Sequence, residues 1–185
     1  MRSEWTRAAL VLAAAGATVG TALDALHVYG GTTAYAHPAL GAQAWWVPPL
    51  FAAAAVAFGL ARPFAERIAA TPSDAPSGRA VAAGMVLFVC AYLVSAVGDV
   101  PWPVRSALLL LVFARTWRVV DDTALGGALA VLGAIVGTAV EVALVAGGAF
   151  FYREHDLEGV APWLPVLYLT AACATGALGK HLVDG

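Results

Sequence analysis

Three ionisable side chains stand where hydrocarbon is expected. Asp24 and His27 lie one helical turn apart near the end of the first long apolar run, and Glu141 lies well inside the fifth. A charge at the centre of a bilayer is expensive, so such groups face a bundle interior or a wet cavity, or give up their charge. Three chemistries fit this placement. The groups hold a ligand hydroxyl or headgroup, or close hydrogen bonds between helices, or relay protons with Asp24 and Glu141 as the titrating pair. Asp99 ends the third apolar run at a similar depth. Asp121 and Asp122 end the fourth beside Arg115 and Arg118, where a solvated cluster of ion pairs is expected. The sequence has no His-Glu-x-x-His, no Gly-x-Ser-x-Gly, no phosphate-binding loop and no dinucleotide fingerprint. The histidines (His27, His37, His155 and His181) are dispersed along the chain. Neither catalysis nor a metal or other cofactor is expected.

The elements that must position these groups follow from composition. Of 185 residues, 61% are hydrophobic and 12% charged, against about 25% charged in an ordinary soluble domain. A water-soluble surface could not be covered. A net charge of −2 and the lack of a basic stripe exclude nucleic acid as a partner. Cys90 and Cys173 lie in apolar runs and read as buried free thiols. The first apolar run is too long for a secretory leader and has no evident cleavage site. A membrane helix needs roughly 20 mostly apolar residues. Six spans are expected, at about 8–28, 47–61, 80–98, 104–119, 124–151 and 163–179, in one domain covering 1–185. The sustained alternation of a β-barrel is absent.

Six spans put both termini on one side. That side also takes Arg2, Arg7, Arg62, Arg67, Arg79, Arg115, Arg118 and Lys180, leaving Arg105 and Arg153 on the other. By the positive-inside rule the termini are cytoplasmic. In "AWWVPPL" (Ala44 to Leu50), Trp45 and Trp46 are expected at the outer membrane–water interface. Pro48 and Pro49 then occupy the first turn of the second helix, where a missing N–H costs nothing. "GATVG" (Gly16 to Gly20) and "GAIVG" (Gly133 to Gly137) let helix backbones approach closely.

Several stretches carry a resemblance. "AWWVPP" followed by an apolar run and Arg-Pro resembles the second span of the Insig (insulin-induced gene) proteins. "LFVCAYLVSAVGD" (Leu87 to Asp99) is similar to their third span, and "WRVVDDTALGG" (Trp117 to Gly127) to the end of their fourth. The likeness continues through Gly148, Tyr152, Asp156 and "WLP" (Trp163 to Pro165) to "GALGKHL". The chain is thereby identified as a member of that family, covering about Ala44 to the end. The resemblance implies a six-helix membrane bundle with cytosolic termini. Eukaryotic members sit in the endoplasmic reticulum, bind oxysterols and hold polytopic partners that carry a sterol-sensing domain; they are not enzymes. Phe88 and Trp117 match aromatic positions of the family's lipid cavity. Asp121 matches an aspartate needed for ligand and partner interactions. Arg105 stands where the family has glutamine, and Arg118 where it has a second tryptophan. The Ala-, Val- and Arg-rich usage reads as bacterial, which puts the chain in the inner (plasma) membrane; in a eukaryote the expected location is the endoplasmic reticulum.

The resulting expectation is an all-α, six-span, non-enzymatic lipid-binding protein, possessing a bundle cavity for a sterol-like or diacylglycerol-like lipid and regulating a polytopic membrane partner. Its candidate lipid-binding residues are Phe88, Trp117, Asp121, Trp46, Glu141, Asp24 and His27. Self-association as a trimer or dimer is compatible with the small-residue faces. The alternatives are a small proton-coupled transporter or channel subunit using Glu141 and Asp24, and a scaffold that only holds another membrane protein.

Overall fold

A computed structural model describes residues 2–185. The chain folds into six rods in chain order: α1 (Arg2–Tyr29), α2 (Val47–Ala69), α3 (Gly78–Ala96), α4 (Trp102–Val120), α5 (Ala124–Ala146) and α6 (Leu164–Asp184). Two short strands, β1 (Thr33–Tyr35) and β2 (Phe150–Tyr152), pair antiparallel with Ala34 opposite Phe151. Large apolar side chains such as Leu10, Ile68, Leu111 and Ile135 are exposed on several rods. Water does not tolerate so much open hydrocarbon, whereas lipid does.

Local chemistry sets the helix ends. Pro48 and Pro49 stand in the first turn of α2 as expected. Ser77 caps α3 by accepting from the Ala80 amide at 3.2 Å, and Thr123 caps α5 by accepting from Gly126 at 3.1 Å. The second helix does not stop near residue 61. It runs through Pro63 to Ala69 and ends at Ala70, a left-handed residue with φ 52°. Proline has no N–H for the carbonyl four residues back. Here that carbonyl belongs to Gly59, and Gly179 of α6 packs directly onto it. The fifth helix stops at Ala146, short of residue 151. Gly147 and Gly148, the latter at φ 71°, end it and turn the chain into β2.

Among the described residues, five helices are long and apolar enough to cross a membrane, rather than the six expected. The exception is α4, which carries Arg105 near its start and Arg115 and Arg118 near its end. At 19 residues it is about 28 Å long, so its charges lie at its two ends.

The rods are arranged around α6. From Thr170 to Ala177 every residue of α6 is buried, and these are small: Thr, Ala, Cys and Gly. Small side chains allow α1 to α5 all to pack on it. α1 contains one π-helical turn, Gly16–Gly20, and its two terminal glycines lie against Phe51 of α2. α5 leans on α6 and barely touches α2. That gap opens the cleft described next. Both chain ends lie at the same end of the bundle, since Arg7 Nη2 donates to the Leu182 carbonyl at 3.3 Å.

Candidate functional site

The end of the bundle that carries the termini holds a buried network of opposite charges. Arg62, on the last turns of α2, pairs through Nε with Glu66 one turn on and through Nη1 with Asp121 at the end of α4. Its Nη2 reaches Ser73 Oγ at 3.3 Å. Glu66 also pairs with Lys180 of α6 and takes the Ser73 hydroxyl at 2.8 Å. Arg62, Glu66 and Lys180 are each less than a tenth exposed. Asp121 receives the Thr123 hydroxyl on its second oxygen. Gly126 faces this pair so closely that a Cβ there would strike both the Asp121 carboxylate and the Arg62 guanidinium. Asp121 therefore pairs across the bundle with Arg62, not with Arg115 and Arg118 as expected from its neighbours in sequence. Arg62 and Lys180, which the charge count places on the side of the termini, are both buried.

Above the Arg62–Asp121 pair runs a cleft of about 170 Å³ between α2 and α5, floored by α6. Its walls are apolar, with Phe58, Leu129, Leu132 and Val136 among them, and its floor is Ala172, Cys173 and Gly176. Gly133 lets the floor come close, because a Cβ there would meet Ala172. On the other side of α5, Val131, Ile135, Val142, Val166 and Leu169 line a wide, apolar groove of about 710 Å³.

The opposite end of the bundle is aromatic. Period-two alternation along the strands turns Tyr35, Phe150 and Tyr152 inward and Phe151 outward. Asp24 accepts from Tyr35 and from Gln43, both at 2.7 Å. Glu141 accepts from Tyr168 at 2.7 Å and Tyr152 at 3.1 Å. Burial first, and then the neighbouring carboxylate charge, push the Tyr35 and Tyr152 phenols up, so both remain donors. His27 lies 2.8 Å from Ser95 Oγ through Nε2. Ser95 gives its proton to the Tyr92 carbonyl at 3.0 Å, so the imidazole must be the donor to it. The His27 ring stacks on Tyr92 at 5.1 Å and meets Trp163 at 5.3 Å. Arg105, fully buried, bonds Glu154 at 3.0 Å and the Val100 carbonyl at 2.6 Å. Glu154 also accepts from the Trp163 indole at 3.2 Å.

No protein-family model matches the chain. It is 34% identical, over 181 residues, to the INSIG protein homolog of Mycolicibacterium vanbaalenii, covering 95% of this chain and 86% of that relative. The chain belongs to the Insig family. Its fold matches the crystal structure of MvINS, a mycobacterial Insig homolog from Mycobacterium vanbaalenii, with a TM-score of 0.86 at 33% identity, covering 96% of this chain and 95% of that one. The same overlap holds for an arginine-to-cysteine variant of MvINS cross-linked as a trimer.

This Insig homologue distributes the candidate residues over both ends of its bundle. Asp121 lines the α2–α5 cleft. Trp117, one turn before it, donates its indole N–H to the Thr123 carbonyl at 3.1 Å and packs beside Gly127. Phe88 is buried edge-to-face against Tyr92, centroids 5.2 Å apart. Trp46 joins the ring cluster with Tyr35 and Phe150, while Trp45 beside it stays exposed. Asp24 and His27 share a helix turn but not a partner, and Asp99 is exposed. Sequence reasoning missed Arg62, Glu66 and Lys180. A signal existed: Arg62 and Glu66, and again Lys180 and Asp184, are opposite charges four residues apart, the spacing that places them on one helix face.

Proposed function

We propose that this Insig homologue is a non-enzymatic lipid-binding protein of the bacterial plasma membrane. It holds a sterol-like or diacylglycerol-like lipid within a single six-span domain and regulates a polytopic membrane partner. In this reading α4 is the sixth span and both termini are cytoplasmic. The observation that carries it is the α2–α5 cleft: apolar walls, a floor of small side chains and one polar end. Acyl tails gain little from leaving bilayer lipid, so shape and the hydrogen bonds of a polar group must supply selectivity. Asp121 contributes directly from the cleft, and Trp117 from the junction that holds Asp121 in place. Phe88, Trp46, Asp24, His27 and Glu141 support the lipid site through the packed core and ring cluster of the opposite half. There the donors from Tyr35, Gln43, Tyr152 and Tyr168 account for both acids without a transport path. The cross-linked trimer of MvINS supports self-association of this chain as well.

Native mass spectrometry of gently purified protein is expected to find a co-purifying lipid. Delipidated protein offered a mixture of membrane lipids is expected to take up one class preferentially. Uptake that merely mirrors the mixture would rule the reading out.

A further inference from the structure

The cleft meets charge at one end only, and that charge is already balanced. We propose that the Arg62–Asp121 pair sets the headgroup class the cleft accepts: neutral lipids bearing hydroxyl or ester groups are admitted, and lipids bearing phosphate or carboxylate are refused. This inference rests on the lipid-binding reading above and adds the residues that select. Three of the guanidinium's faces are committed, to Glu66, Asp121 and Ser73. Both oxygens of Asp121 are committed as well, to Arg62 and Thr123. Glu66 shares its charge with Lys180, so it does not leave a surplus cation behind the cleft.

An anionic headgroup arriving here faces two carboxylates around one guanidinium. It must either sit beside Asp121 as a like charge, or displace it and leave a carboxylate buried without its partner. Both are the repulsive elements from which specificity is built. A hydroxyl has neither problem. It donates to a carboxylate lone pair and accepts from a remaining guanidinium N–H without breaking the pair. Gly126 keeps the pair in place, because the space a Cβ would need is filled by the two charged groups.

The test offers purified, delipidated protein equimolar dioleoylglycerol and dioleoylphosphatidate, which share both acyl chains and differ in headgroup charge. Native mass spectrometry reads the bound ratio. The wild type is expected to favour the diacylglycerol by about tenfold or more. Asp121→Asn keeps the shape and removes the charge, and is expected to move the ratio toward phosphatidate by about tenfold. Adding Arg62→Gln to it removes the cation that Asp121 no longer balances and is expected to restore the neutral preference. If Asp121→Asn does not give a monodisperse protein, Glu66→Gln removes the other carboxylate beside Arg62 and is expected to act in the same direction. Equal uptake of both lipids by the wild type, or an unchanged ratio in the folded single variants, overturns the headgroup assignment alone. Uptake of neither lipid overturns the headgroup assignment together with the diacylglycerol-like arm of the reading beneath it, whose sterol-like arm is decided by the uptake from mixed lipids described above.

Discussion

Glu141 accepts from two phenols, and the nearer one fits because Gly137, one turn before it on α5, has no side chain. A Cβ at residue 137 would run into the Tyr168 ring. Tyr168 is itself wedged edge-on against Phe58 at 6.0 Å, so it has little room to retreat. Gly137→Ala is expected to lower stability by about 1–3 kcal/mol through overpacking. Tyr168→Phe keeps the packing and removes one donor, and is expected to cost about 1 kcal/mol, the scale of an interhelical hydrogen bond in a membrane protein. Thermal midpoints of the purified proteins in one detergent check both; a Tyr168→Phe loss as large as that of Gly137→Ala would refute the division between donor and packing. The acids were visible in the sequence, because an ionisable residue inside an apolar run stands out. Their donors were not. Tyr35 comes from β1, Gln43 from the loop after it, Tyr152 from β2 and Tyr168 from α6, and nothing in a linear pattern says that these meet.

Between elements, the decisive contacts are glycine against backbone. Gly179 of α6 rests on the Gly59 peptide of α2, the one whose carbonyl Pro63 leaves without its helical donor. A methyl group at 179 would meet backbone, which cannot swing aside, so Gly179→Ala is expected to cost about 2 kcal/mol or more and to separate α2 from α6. Gly127 is the control. A Cβ there meets the Trp117 ring at 3.7 Å, an ordinary contact, and alanine is the better helix former, so Gly127→Ala is expected to match or exceed wild-type stability by up to about 1 kcal/mol. A comparable loss at both positions in a denaturation series would defeat this account. The same contacts explain which elements sequence reading recovered. The apolar length of α1, α3 and α6 was legible, since each needs an unbroken run to cross hydrocarbon. The true end of α2 was not, because Pro63 ordinarily signals a stop, and the helix that packs on the carbonyl it leaves without a helical donor is distant in sequence. The strands were not legible either. At three residues each, they are too short to show alternation, and they pair only because α1 and α5 end near each other.

At the scale of the molecule, charge and topology point the same way. The N- and C-terminal segments meet through Arg7 and Leu182, and the buried network of Arg62, Glu66, Asp121 and Lys180 lies at that same end. The exposed Arg2, Arg67, Arg79, Arg115 and Arg118 lie there too. At the other end Arg105 is buried against Glu154 and only Arg153 is exposed. The positive-inside rule acts on loops and helix ends during insertion, so removing two buried cations from the count still leaves the bias strong. Single cysteines placed at the two ends distinguish the orientations. Ser3 and His155 are both exposed, one in the first turn of α1 and one in the loop leading to α6. In intact cells, His155→Cys is expected to react with a membrane-impermeant maleimide, and Ser3→Cys only after permeabilisation. The unsubstituted chain, whose Cys90 and Cys173 are half-buried and buried, sets the background. The reverse labelling pattern would invert the bundle and carry the Arg62–Asp121 end of the cleft to the outer leaflet.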